Sequence, residues 1–313
     1  MNRETNLAIN AVSIISKENE NLLYSKWNEF IDSLDELWIR SGKNIYKFLL
    51  LVYSEYVFDS PYISYSSGTD SSFISILNKE PSNCFDSTLF LILAGRRFDN
   101  RVNLAITETH CWIEMKIEEE SSSGVDTTPK QLETTFRLEH PENIHFRSLE
   151  ETSEKFGEEK RFNIYTVLEE IVIQYIGNLM TNANNLRESN KLSFSETKFR
   201  LQQLYNLIDG KEDKIKGDKV LLAISKKYLY DLEINKALDL FERMDKRRAG
   251  EEVLENLVSI LINYPFWKMK FDKSSVINKI RLIRDSILKR ETNQEIENQN
   301  KRLEELFSIL NSE

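Results

Sequence analysis

Residues 82–98 read SNCFDSTLFLILAGRRF, and they carry the strongest fold signal in the chain. Ser82 and Asn83 are residue types that cap helix N-termini, and Asp86 follows where the positive end of a helix dipole favours an acid. The apolar run that comes next is too continuous for a surface helix. It therefore predicts a buried helix that begins at Cys84 and extends to the end of the stretch.

Beyond this helix the apolar spacing changes from a helical period to alternation. Apolar and polar residues alternate over 102–106 and again over 111–117, which is typical of strands. Residues 134–138 are a further candidate strand, and the acidic, serine-rich residues 118–124 are expected to form a loop. A helix followed by antiparallel strands indicates an α+β domain.

The segment before this region has helical periodicity. From Leu7 to Phe58 apolar residues recur at three- and four-residue steps, with a break predicted at Ser41-Gly42. A short helix is predicted over 73–77. The N-terminal residues 1–60 are therefore expected to form helices that pack on the core.

The chain after Pro141 is also predicted to be helical, apart from turns, up to its C-terminus. Ala237 and Phe241 have the spacing of a tetratricopeptide second helix, but no 34-residue repeat is found. A tetratricopeptide-like array and a generic helical bundle both remain open. The fold class is thus α+β and mostly helical, with an α+β domain at 61–150 and a helical repeat-like domain at 151–313.

Composition and charge exclude several classes of protein. The net charge of −9 argues against a nucleic-acid binder, and no apolar run approaches the ~20 residues of a membrane span. With two cysteines and no secretory signal, we expect a cytoplasmic protein with reduced thiols. Residues 109–160 hold 13 acidic and 6 basic residues, which form either a solvated face or a surface that steers a basic peptide or amine.

Residues that could carry chemistry concentrate in residues 84–145, which hold both cysteines and all three histidines. A cysteine in a first helical turn, such as Cys84, faces backbone N–H groups and the positive end of the dipole, which favour a thiolate. His110 could take the thiol proton, and Asp126 could orient the imidazole. The backbone N–H of Cys84, with the amides of Asn83 or Asn78, would form an oxyanion hole.

Each of these residues also has a purely structural interpretation. Cys84 could be an inert buried thiol, His110 a half-buried histidine with satisfied partners, and Asp126 a turn residue. Trp112 is either a core residue or a wall of the site. Cys111 is expected in the core because it alternates to the face opposite His110 if both lie on one strand.

A zinc site is the weakest alternative, because the spacings typical of structural zinc sites are absent. Its candidate ligands would be Cys84, Cys111, His110 and His140. No metal and no cofactor are therefore expected.

At the positions of the candidate triad the chain resembles the transglutaminase-like superfamily. The papain-like core of that family orders a nucleophilic Cys at a helix N-terminus, a His in an H-x-W context and an Asp in a D-x-T context. The matching positions here are Cys84, His110-Cys111-Trp112 and Asp126-Thr127-Thr128. The resemblance covers about residues 75–135 and implies a cysteine enzyme that hydrolyses, deamidates or transfers amines to peptide or protein amides.

Residues 103–113 are also similar to a strand of menin-like proteins, which join a transglutaminase-like domain to tetratricopeptide-like helices. Menin-like proteins act as peptide-binding scaffolds. This second resemblance implies a non-catalytic scaffold whose helical domain binds a peptide or protein partner, and the acidic charge implies a basic one. The enzyme and the scaffold are both carried forward as expectations.

Overall fold

The computed structural model is mostly helical. It describes residues 2–16, 18–58, 72–78, 82–106, 111–121, 124–132, 147–148, 163–188, 191–215, 218–231 and 233–243, with isolated residues between 274 and 308. The helices are α1 (Arg3–Ser16), α2 (Glu20–Arg40), α3 (Ile45–Val52), α4 (Cys84–Gly95), α5 (Leu168–Glu188), α6 (Phe194–Ile208), α7 (Asp218–Tyr230) and α8 (Ile234–Arg243). The strands are β1 (Asn103–Ile106), β2 (Cys111–Ser121), β3 (Gly124–Leu132), β4 (Arg147–Ser148) and β5 (Asn163–Tyr165).

These strands form an antiparallel sheet in the order β4-β3-β2-β1-β5. β2 and β3 form a long hairpin in which Ser121 lies opposite Gly124. The prediction of a loop over 118–124 is therefore wrong, because its first four residues continue β2. Strand pairing depends more on context than on the composition of one segment, so an acidic run does not by itself end a strand.

β4 and β5 correct the prediction that the chain after Pro141 is only helical. β4 pairs with β3 and β5 pairs with β1, where Tyr165 lies opposite Leu104. Strands of two or three residues are too short to show alternation in the sequence. The predicted strand at 134–138 lies outside the described residues.

The helical predictions before the sheet are confirmed in outline. The N-terminal stretch forms α1, α2 and α3, and the predicted break at residues 41–42 is present, with Gly42 at φ +67°. A further break follows Ser16, where α1 ends. The predicted helix at 73–77 is a short 3₁₀ turn over Ser75–Asn78. The region after residue 58 is described again from residue 72.

α4 is the central helix of the fold. It begins at Cys84 as predicted and ends at Gly95, three residues before the predicted end. All its residues from Phe85 to Gly95 are buried, because the sheet, α3 and α5 pack around it. An aromatic cluster joins it to α2, where the ring centroids of Phe30 and Phe90 are 4.5 Å apart. In the described part of the chain, no helix has the length and hydrophobicity to span a membrane.

α1 contacts elements on both sides of the predicted boundary at residue 151. Its buried face packs against α5 and α6, and these helices share one hydrophobic core with α4 and β2. That face consists of Thr5, Ala8, Ile9, Ala11, Val12 and Ile15. The N-terminal helices, the α+β region and the helical region therefore share one hydrophobic core.

Arg96, the C-cap of α4, joins the helix to two strands. Its guanidinium donates to the backbone oxygens of Val102 and Thr166 and to the side chain of Asn103. We expect Arg96→Met to lower the free energy of unfolding by about 1–2 kcal/mol, because two carbonyls lose a charged donor. Urea unfolding followed by circular dichroism measures this loss.

The neighbouring Arg97→Met variant is the matched control for that measurement. Arg97 is exposed and pairs with Asp35, itself well exposed, with an N–O distance of 3.2 Å. Exposed pairs contribute little, so this variant should differ from the wild type by less than about 0.5 kcal/mol. Equal losses in the two variants would contradict the role given to Arg96.

Candidate functional site

Cys84 occupies the first turn of α4. The side chain of Asn83 caps the helix by accepting from the backbone N–H groups of Phe85 and Asp86. Asp86 in turn accepts from the backbone N–H of Asn83, which completes a capping box. Cys84 is a partly exposed residue that forms no disulfide. The sequence therefore sets both the start of the helix and the place of the cysteine at its positive end.

The second cysteine, Cys111, is the first residue of β2 and is 2% exposed. Its thiol is hydrogen-bonded to that of Cys84, and its sulfur also lies 3.8 Å from Thr88 Oγ1. Cys84 and Thr88 are four residues apart, so they share one face of α4. The start of β2 thus packs directly on the face that carries Cys84.

Burial raises the pKa of the Cys111 thiol well above its ordinary value. The hydrogen bond to Cys84 and the negative charge of an ionised Cys84 raise it further. The hydrogen bond with Thr88 lowers it, and the charge of Asp86 adds the smallest increase. Cys111 is therefore protonated at neutral pH. It acts as a hydrogen-bonding partner of Cys84 rather than as a thiolate.

A buried polar network fixes the start of α4. Asp86 is fully buried, and its Oδ1 accepts from the Tyr175 hydroxyl on α5 at 2.8 Å. That hydroxyl accepts from the backbone N–H of Phe73 at 3.2 Å. Asp86 was identified in the sequence only as a first-turn acid, and nothing in the sequence indicated Tyr175 as its partner.

The structure separates Asp126 from the cysteines. Its backbone lies in β3 opposite Glu119, eight residues along β2 from Cys111. At about 3.4 Å per residue this is about 27 Å along the strand. The strand pairing therefore does not bring Asp126 to Cys84, and an orienting role for Asp126 at this site loses its geometric basis. His110 lies outside the described residues, and its predicted role stays a prediction.

Trp112 is a buried residue of the sheet. It follows Cys111 on β2 and therefore points to the opposite face of the sheet from the one that meets Cys84. It is 2% exposed and lies opposite Ala105. This position favours the structural interpretation of Trp112 over the interpretation as a wall beside Cys84.

The two predicted oxyanion-hole amides differ in their surroundings. The Asn83 side-chain oxygen is used in the helix cap, so a donor role falls to its amide nitrogen. Asn78 is exposed at the end of the 3₁₀ turn. Of these two, Asn83 is adjacent to Cys84 in the chain and is the better positioned candidate.

The described residues contain no group of three or more His, Cys, Asp or Glu side chains arranged to hold a metal ion. His110 and His140, two of the four ligands of the zinc alternative, lie outside the described residues. Cys84 and Cys111 do lie together, which is the part of that ligand set that the fold brings into contact.

Comparison with protein-family models, curated proteins and solved structures gave no match to this chain. The transglutaminase-like and menin-like resemblances therefore stay predictions that depend on the residues quoted above. What the site can do chemically follows from its own geometry: a partly exposed cysteine at a helix N-terminus is in contact with a buried, protonated thiol.

Proposed function

We propose that the protein is a cysteine-dependent enzyme of transglutaminase-like type that acts on peptide or protein amides, with Cys84 as its nucleophile. The observation that supports this proposal is the place of Cys84, a partly exposed residue in the first turn of the capped helix α4. The backbone N–H groups of that turn and the positive end of the helix dipole favour the thiolate that this chemistry needs.

The proposed chemistry is acyl transfer through a thioester. The Cys84 thiolate attacks the amide carbonyl carbon, and the carbonyl oxygen becomes an oxyanion that nearby N–H donors stabilise. Collapse of this intermediate breaks the C–N bond, and His110, holding the proton taken from Cys84, gives it to the leaving amine. Water or a second amine then attacks the thioester and releases Cys84, which yields hydrolysis, deamidation or amine transfer.

A peptide-binding scaffold of the menin kind is the second candidate, and the helical region favours it. α5 and α6 are joined by a short connection and pack together, as do α7 and α8. In the first pair α6 exposes Phe199, with 63% of its surface accessible. The acidic net charge then favours a peptide rich in Lys or Arg.

The enzyme proposal predicts a His110-dependent thiolate at Cys84. Iodoacetamide should label Cys84 at pH 6, because an imidazolium partner stabilises the thiolate below the ordinary thiol pKa of about 8.5. His110→Asn should slow this labelling by about tenfold or more. Mass spectrometry of the labelled peptides, as a function of pH, measures both rates.

Asp126→Asn is the matched control, because the strand pairing separates residue 126 from the site. It should label at the wild-type rate. Slow labelling at pH 6 in the wild type, unchanged by His110→Asn, would overturn the proposal of an activated nucleophile.

A second experiment distinguishes the enzyme from the scaffold. Incorporation of a fluorescent primary amine into casein by the wild type, lost in Cys84→Ala, would support the enzyme. Binding of a basic peptide by both the wild type and Cys84→Ala, without turnover, would support the scaffold.

A further inference from the structure

We propose that Cys84 and Cys111 form a reversible redox pair: oxidation by a low-molecular-weight disulfide such as glutathione disulfide joins them covalently and blocks Cys84. This modification site does not depend on the amide chemistry proposed above. It follows from the contact between two thiols that are far apart in the sequence.

The geometry gives the two thiols different roles. Cys84 is a partly exposed residue in the first turn of α4, whereas Cys111 is buried, so Cys84 is the thiol that we expect the oxidant to meet first. The Cys111 thiol contacts Cys84 and Thr88, which lie on one face of α4. Cys111 belongs to the hydrophobic core and Cys84 packs against that core, so the contact between the two thiols is part of the folded state.

The pairing of an exposed and a buried thiol defines the order of events. In the first step the Cys84 thiolate attacks one sulfur of glutathione disulfide, the S–S bond breaks, and one glutathione thiolate leaves and takes up the Cys84 proton. The product is a mixed disulfide on Cys84.

Formation of the mixed disulfide removes the negative charge of Cys84, which helps to keep Cys111 protonated in the reduced protein. In the second step Cys111 therefore loses its proton and attacks the Cys84 sulfur of the mixed disulfide. The second glutathione leaves as a thiolate and takes up that proton. The two protein thiols together lose two electrons, and one glutathione disulfide is reduced to two glutathione molecules. The attack is intramolecular between groups already in contact, so it should outpace the release of glutathione by solution thiols.

The test uses the reduced full-length chain and glutathione disulfide, with Cys111→Ser and Cys84→Ser as matched variants. Samples are quenched in acid, alkylated, and analysed by intact mass and non-reducing peptide mapping. The wild type should lose two hydrogens and yield a cross-linked peptide containing both cysteines. In Cys111→Ser the mixed disulfide should persist on Cys84 with a lifetime longer by about tenfold or more, and Cys84→Ser should stay unmodified without denaturant.

Several outcomes would overturn this proposal. They are a wild type whose mixed disulfide is as long-lived as that of Cys111→Ser, a wild type whose thiols both resist the oxidant, and a cross-link that joins two chains. The wild-type peptide map decides the matter even if a serine variant fails to fold. Because cross-linking is measured by mass and not by turnover, a failure of the enzyme proposal leaves this result interpretable.

Discussion

Replacing Tyr175 by phenylalanine is expected to lower the free energy of unfolding by about 2–4 kcal/mol, far more than the loss of one hydroxyl at a surface. The hydroxyl donates to the fully buried Asp86 and accepts from the backbone N–H of Phe73. Its removal takes one donor from a buried carboxyl group and one acceptor from a buried N–H. Urea unfolding monitored by circular dichroism measures the loss.

Tyr56→Phe is the control for the Tyr175 variant. The Tyr56 hydroxyl is hydrogen-bonded to the Ser33 hydroxyl at 3.0 Å, and this pair is partly buried and uncharged. Its loss should cost about 0.5–1.5 kcal/mol. A double-mutant cycle with Asp86→Asn should show coupling between residues 86 and 175, and the network would be refuted by additive effects.

The Tyr175 variant also makes a pH prediction with a definite sign. Burial raises the pKa of the Tyr175 phenol well above its ordinary value, and the negative charge of Asp86 is the second largest cause of this rise. The folded state therefore holds this proton more tightly than the unfolded state does. Its contribution is fully present below pH ~10 and is lost as the pH rises above that value. The stability difference between the wild type and Tyr175→Phe should accordingly shrink above pH ~10, whereas a constant difference would contradict the assignment.

Gly177→Ala is expected to destabilise the protein by about 1–3 kcal/mol, although the same change in a helix normally stabilises by up to about 1 kcal/mol. Gly177 lies in α5 where α7 crosses it. An added Cβ would overlap Val220 Cγ1 and lie 3.2 Å from Val220 Cβ. Valine has little freedom to turn aside, so the two helices must move apart.

The Val220→Ala background distinguishes this overlap from a general intolerance at residue 177. Val220 is partly exposed, so Val220→Ala alone should cost less than about 1.5 kcal/mol. With both Cγ atoms absent, Gly177→Ala should cost much less than it does in the wild type. Thermal unfolding of the four proteins provides the comparison. A double variant whose loss of stability equals or exceeds the sum of the two single losses would contradict the proposed overlap.

The amino-acid sequence by itself determined the local elements around the site. The capping residues at 82–86 and the apolar run after them predicted where α4 begins, and the structure has the same start. Alternation identified β1 and the first part of β2. These signals are local, because caps depend on neighbours within one helical turn and periodicity depends on which face a residue presents.

Only the tertiary structure decided which distant residues meet. Cys111 contacts Cys84, Tyr175 bonds to Asp86 across 89 positions of the chain, and β5 adds to the edge of β1. The pairing of β3 with β2 places Asp126 opposite Glu119. Strand register and helix crossing are set by the summed packing of many side chains, so a triad proposed from residue order and type can include a residue that the fold places elsewhere.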